Sequence, residues 1–423
     1  MYNKFLLKNG IRVICERVES IQSAVVGVWI LAGSRYEDAK HLGVSHFIEH
    51  MLFKGTATRT ARQIAEEIDF IGGHINAFTA KDCTCFYTKT LDNHIKIAVD
   101  ILSDILVRSL LKPSDVDLER NVILEEINMY EDSPDELAHD LLAESVWRNC
   151  PLGYPILGRP DTVAGIDDLT MRTYLAEKYV PKNIVISVAG SFDETELRDI
   201  LEETFGNIAD SPPGSGIRQA TQDSVLYEAS SYFRQKDTEQ IHLCVGFDGI
   251  ELGDDDIYAL HLANCVFGGG MSSILFQKIR EELGLVYSIY SYISAYKRAG
   301  MFTIYAGMQA EQAGRVFEMI IGELRAFVAS GMTEDLLNRA KEQFKGGFIM
   351  GLESPNARMS ANGKSELLLG YITAPEETVR KINEVTLDKT YEIMNKVFDM
   401  DMLAVSAVGR IDGGLEKILG RTG

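Results

Sequence analysis

The decisive stretch is His46-Phe47-Ile48-Glu49-His50-Met51-Leu52-Phe53-Lys54-Gly55-Thr56. It lies at the end of a segment of good helix formers that starts near His41. On a helix, residues four apart project from nearly the same face, one turn apart. His46 and His50 can therefore offer two imidazole nitrogens to one tetrahedral cation. Glu49 shares that face and can take a proton from water beside the metal. The order His-x-x-Glu-His inverts the commoner His-Glu-x-x-His motif. A chance triplet on a solvated helix is the plain alternative. Phe47, Ile48, Met51, Leu52 and Phe53 argue against it: part of this helix is buried, and buried histidines and carboxylates need partners.

A catalytic zinc site takes three protein ligands and leaves one position open. The third ligand is sought in Glu119-Arg120-Asn121-Val122-Ile123-Leu124-Glu125-Glu126-Ile127, a second helical stretch. Glu119 and Glu126 stand seven apart, on one face. In that arrangement Glu126 ligates and Glu119 supports the site from behind. The residues alone leave the choice between Glu126 and Glu125 open.

The whole chain sets the frame. Its 423 residues, 46% apolar and 25% charged, suit two domains. Asp210-Ser211-Pro212-Pro213-Gly214-Ser215-Gly216 reads as the boundary. This gives an N-terminal metal-binding domain at 1–210, a linker at 211–224 and a C-terminal domain at 225–423. Both parts mix strand-like and helix-like runs, so the expected class is α+β.

The two parts also read as distant copies. Ser133-Pro134 follows a long helical pattern in the first, as Ser354-Pro355 does in the second. Leu42 to Gly55 aligns with Asp256 to Gly269, placing His46, Glu49 and His50 on Leu260, Ala263 and Asn264. Glu119 and Glu126 fall on Ala340 and Gly347, so only the first copy keeps the polar residues.

The formal charge of −20 disfavours nucleic acid. No apolar run approaches the roughly 20 residues of a membrane span, and Ala24 to Ala32 reads as a buried strand. Asn9-Gly10 reads as a hairpin turn. The N-terminus shows no cleavable signal pattern, so a cytoplasmic protein is expected. Six irregularly spaced cysteines suit reduced thiols, with Cys83 and Cys85 read as packing residues. His41, His74, His94, His139, His242 and His261 show no second metal spacing.

The run from His46 to Thr56 resembles the active-site signature of the peptidase family of insulin-degrading enzyme, pitrilysin and the mitochondrial processing peptidase. That family sets its third ligand about 75 positions after the second histidine; Glu126 follows His50 by 76. The resemblance thus favours Glu126 as ligand and Glu119 as the additional acidic residue. Gly72-Gly73-His74-Ile75-Asn76-Ala77-Phe78-Thr79 resembles the edge strand that pairs with substrate, giving Asn76, Ala77 and Phe78 as substrate-binding residues. Arg280-Glu281-Glu282-Leu283-Gly284-Leu285-Val286-Tyr287 resembles the family's Arg/Tyr pair, which holds substrate and offsets oxyanion charge. Without the resemblance, Arg280 reads as a surface charge and Tyr287 as a core aromatic. Ile274 departs from the pattern, since relatives often carry arginine after the two serines.

The likeness covers essentially the whole chain. It implies two homologous α/β sandwich-like domains of the processing-peptidase-like metallohydrolase fold, forming half of a clamshell. The expected function is that of a zinc metalloendopeptidase: one Zn2+ on His46, His50 and Glu126, Glu49 as general base, and extended or unfolded peptides as substrate. The expected assembly is a homodimer, or a heterodimer with a related chain, in which Arg280 and Tyr287 approach the other subunit's site. The rival readings are a non-catalytic peptide-holding subunit and a zinc hydrolase of a non-peptide substrate.

Overall fold

The computed structural model describes residues 2–209 and 225–411. The expected linker at 211–224 lies outside the described residues. The chain begins with β1 (Tyr2–Leu6), β2 (Arg12–Arg17), β3 (Ser23–Ile30), α1 (Val44–Leu52), α2 (Ala61–Phe70), β4 (His74–Thr79), β5 (Thr84–Leu91) and α3 (Ile95–Val107). It continues through α4 (Pro113–Glu131), α5 (Pro134–Val146), α6 (Pro160–Gly165), α7 (Asp168–Lys178), β6 (Ile184–Gly190) and α8 (Glu194–Thr204). After residue 225 come β7 (Ser231–Gln235), β8 (Ile241–Asp248), α9 (Asp256–Phe267), β9 (Ser288–Tyr296) and β10 (Ala299–Met308). The last elements are α10 (Ala313–Ser330), α11 (Glu334–Gly351), α12 (Pro355–Leu368), α13 (Pro375–Glu384), α14 (Leu387–Val397) and β11 (Ala404–Gly409).

The first sheet has the order β1-β2-β6-β3-β5-β4 and the second β7-β11-β8-β10-β9. Remove β1, and the two orders are the same when counted along the chain. The signs match as well: β2 runs parallel to β6, and β11 parallel to β7. The duplication read in the sequence is thus a repeat of topology. Asn9-Gly10 makes the expected turn, with Leu6 paired to Arg12 and Gly10 at φ +91°. The apolar run from Ala24 lies in β3, buried on both faces between β5 and β6.

Two compact units form around these sheets. One contains residues 2–127, 154–209 and 350–372; the other contains 128–153, 225–349 and 373–411. The units therefore do not follow the halves 1–210 and 225–423. Each takes one helix from the other side of residues 210–224. Within the first unit α12 packs across β6, β3 and β2; within the second α5 packs on β11, β8 and β7. Ser133 and Ser354 precede these two helices, and Pro134 and Pro355 occupy their first position. Proline suits the first turn and cannot continue the preceding helix. α4 and α11 therefore stop, and the chain is redirected.

Each sheet thus has a helix on one face and a thicker apolar core on the other. In the first unit that core gathers Val26, Val28, Phe47, Ile48, Phe86, Leu102, Ile123 and Ile186. On the opposite face Trp29 is buried under α12, its indole N–H donating to Met359 Sδ at 3.3 Å. α12 can approach because it carries Gly363 there: an added Cβ would lie 2.3 Å from Trp29 Nε1. Gly363→Ala forces the helix off the sheet and is expected to cost about 1–3 kcal/mol as an overpacking change. Denaturant unfolding checks this, and unchanged stability would contradict the close packing.

Candidate metal centre

α1 follows the buried strand β3 and turns its apolar side chains Val44, Phe47, Ile48, Met51 and Leu52 into the core. The opposite stripe then carries His46, Glu49 and His50. α4 supplies the facing carboxylates, with Glu119, Ile123 and Ile127 buried along it. His46, His50 and Glu126 come together, one donor atom of each within 4.8 Å of the others. Among the described residues this is the one such group of three.

The distances within this group identify its chemistry. His46 Nε2 lies 3.6 Å, and His50 Nε2 3.5 Å, from Glu126 Oε2. Both exceed the 2.7–3.2 Å of ordinary N–H···O bonds, so the three groups do not satisfy one another. Two ligands at ~2.1 Å from a tetrahedral cation stand about 3.4 Å apart. The observed separations fit that edge.

Protonation fits too. His50 Nδ1 lies 2.9 Å from Glu119 Oε1. A carboxylate accepts, so Nδ1 is the donor and Nε2 keeps its lone pair toward Glu126. Lys54 Nζ closes the chain at 2.5 Å from Glu119 Oε2. Burial, and next His50 nearby, holds the His46 imidazole down at about 3, hence neutral and competent to ligate. These donors suit zinc, a borderline cation bound by imidazole and carboxylate.

Glu49 stands beside this group without joining it. Its Oε2 accepts the Thr79 hydroxyl at 2.6 Å. Burial raises its pKa, opposed by the Thr79 hydrogen bond and by His50. Thr79 ends β4, whose residues alternate: Ile75 and Ala77 pack toward the core, while His74, Asn76 and Phe78 are exposed. Among the described residues β4 is an edge strand, paired with β5 alone, with Asn76 opposite Tyr87. The Phe78 ring meets Trp29 edge-on at 5.6 Å.

Arg280 and Tyr287 belong to the other compact unit. Arg280 lies on a π-helical turn, Phe276–Glu282, with its guanidinium 4.6 Å from the Phe276 ring centroid. Tyr287 is 75% exposed, which excludes the core-aromatic alternative. In α9, Leu260 and Ala263 are buried, and Asn264 Oδ1 accepts the Ser291 hydroxyl at 2.6 Å. The second copy thus carries packing residues where α1 carries donors. Sequence reasoning gave no role to Thr79 or Lys54. Lys54 lies inside the quoted run, and Thr79 follows the strand alternation, so both positions were visible without their partners.

The fold and site point to one family of metal-dependent peptidases. Residues 12–160 match the family model described as insulinase (peptidase family M16), and residues 169–344 match the peptidase M16 inactive domain. The chain is 42% identical over 401 residues to the uncharacterized zinc protease YmxG of Bacillus subtilis, covering 95% of this chain and 97% of that protein. It is 36% identical over 394 residues to an uncharacterized zinc protease of Streptomyces coelicolor, with 92% and 86% covered. A protease from Helicobacter pylori shares the fold, with a TM-score of 0.89 at 19% identity and 97% and 99% of the two chains covered. The chain belongs to the insulinase family, peptidase family M16. Among its described residues no helix is long and apolar enough to cross a membrane.

Proposed function

We propose that this chain is a zinc-dependent endopeptidase acting on extended or unfolded peptides. The observation that carries this reading is the convergence of His46 Nε2, His50 Nε2 and Glu126 Oε2, at spacings too long for hydrogen bonds. A zinc ion held there supplies Lewis acidity toward a peptide carbonyl and toward water. Glu49, its carboxylate oriented by the Thr79 hydroxyl, takes the proton of the attacking water and delivers it to the leaving nitrogen. Glu119 keeps the His50 ring in the tautomer whose Nε2 is free to ligate.

β4 supports the choice of substrate. Its outer edge presents main-chain donors and acceptors that an extended peptide can pair with, reading backbone more than side chains. Asn76, Ala77 and Phe78 line that edge. We extend the reading to a pair of chains: Arg280 and Tyr287 of one offset oxyanion charge at the site of the other. The exposure of Tyr287 supports this, as does its place in a unit whose described residues hold no group of three metal ligands.

The test is zinc content together with cleavage of an internally quenched peptide blocked at both ends. About one zinc per chain is expected, with cleavage lost on chelation and regained on adding zinc. A zinc-loaded protein that cleaves nothing in a broad peptide library would move a non-peptide hydrolase or a peptide-holding subunit ahead.

A further inference from the structure

α1 starts at a residue that cannot cap it. Gly43 occupies the N-cap position at φ +91°. A Cβ there would lie 2.6 Å from the Leu157 carbonyl oxygen and 2.9 Å from Gly158 Cα, so only glycine fits. Glycine has no side chain to accept the free N–H groups of the first turn.

Glu37 accepts them instead, from outside the helix. Its Oε2 takes the Gly43 N–H at 2.7 Å and its Oε1 the Ser45 N–H at 2.8 Å. Glu37 is only 6% exposed, and a buried carboxylate is a costly acceptor, but with only glycine possible at the N-cap the acceptor has to come from elsewhere in the chain. What it adds is a fixed distance. Glu37 ends a short 3-10 turn, Ser34–Tyr36, that is anchored beyond β4. Arg35 Nη1 reaches Asp82 Oδ1 at 2.5 Å, and the Arg35 N–H donates to the Lys81 carbonyl. The Tyr174 hydroxyl of α7 also lies 2.8 Å from Ser45 Oγ. The start of α1 is tied to both supports, and His46 is the next residue.

We propose that Glu37 is a positioning residue of the metal centre: holding Gly43 and Ser45, it sets the axial place and rotation of α1, and so the aim of His46 Nε2 and Glu49. This rests on reading the site as a zinc centre. α1 has only nine residues and cannot hold its own position.

The test compares wild type, Glu37→Gln and Glu37→Asp with Leu201→Ala, a core truncation in α8. Zinc affinity is measured by competition with a chromophoric chelator, and kcat and KM at saturating zinc. Glu37→Gln keeps one acceptor and is expected to weaken zinc binding about 10- to 100-fold, as loss of ligand-orienting partners does. kcat falls with it while KM stays, because the substrate strand is untouched. Glu37→Asp, which keeps the carboxyl group on a shorter stem, recovers part of both. Leu201→Ala loses thermal stability but keeps zinc affinity and kcat. Wild-type zinc affinity and kcat in Glu37→Gln would overturn the inference, as would equal losses in Leu201→Ala. If wild type itself took up no zinc, the reading of the site would fail first and this inference with it.

Discussion

Glu49→Gln is expected to lower peptide turnover by about 10²–10⁴-fold, the contribution general acid–base catalysis makes, while zinc content is unchanged. The substitution keeps size and an acceptor oxygen for the Thr79 hydroxyl, so the local packing survives. What it removes is the ability to take and return a proton. Glu49 lies outside the group formed by His46, His50 and Glu126, so the metal should stay. Loss of zinc along with turnover would show instead that Glu49 is a ligand or holds α1 together. Retained turnover would remove it from the mechanism.

The second large effect is recovery of activity by mixing two inactive chains. Glu49→Gln disables a site through its own chain, and Arg280→Ala removes the charge that this reading lends to a partner. If Arg280 acts across a pair, a mixed pair has one site with both defects and one with neither. Random re-pairing of equal amounts then restores about a quarter of wild-type turnover, since half the dimers are mixed and one site in two is intact. If Arg280 serves its own chain, every site in the mixture carries a defect and nothing is regained. Tyr287→Phe paired with Glu49→Gln repeats the test with a smaller change.

Much of the site was legible because helix geometry is local. The spacings of His46, Glu49 and His50, and of Glu119 and Glu126, fix which side chains share a face before any fold is known. That Glu126 faces the imidazoles while Glu125 does not depends on how α4 lies against α1, which no spacing on α4 encodes. The family resemblance supplied that choice, and the geometry places Glu126 with the histidines. The roles of Thr79 and Glu37 were unreadable for the same reason: each meets its partner only after β4 and the turn at Ser34–Tyr36 pack beside α1. The two-part organisation showed in composition and in the paired Ser-Pro steps. Those steps mark where α5 and α12 begin but not which sheet each will cover, because that is decided by contacts distant in sequence.

The placement of α12 sets an order for making the protein. β2, β3 and β6 are all synthesised by residue 190, yet the helix that covers Trp29 and its neighbours comes from residues 355–368. A nascent chain therefore carries a sheet with one bare apolar face through roughly two-fifths of its translation, the kind of surface that aggregates or recruits chaperones. A fragment ending near residue 210 inherits the same bare face permanently, and α5 in that fragment has no second sheet to cover. The two halves are thus obliged to mature together, since the first sheet is not covered on both faces until residues 355–368 have been made.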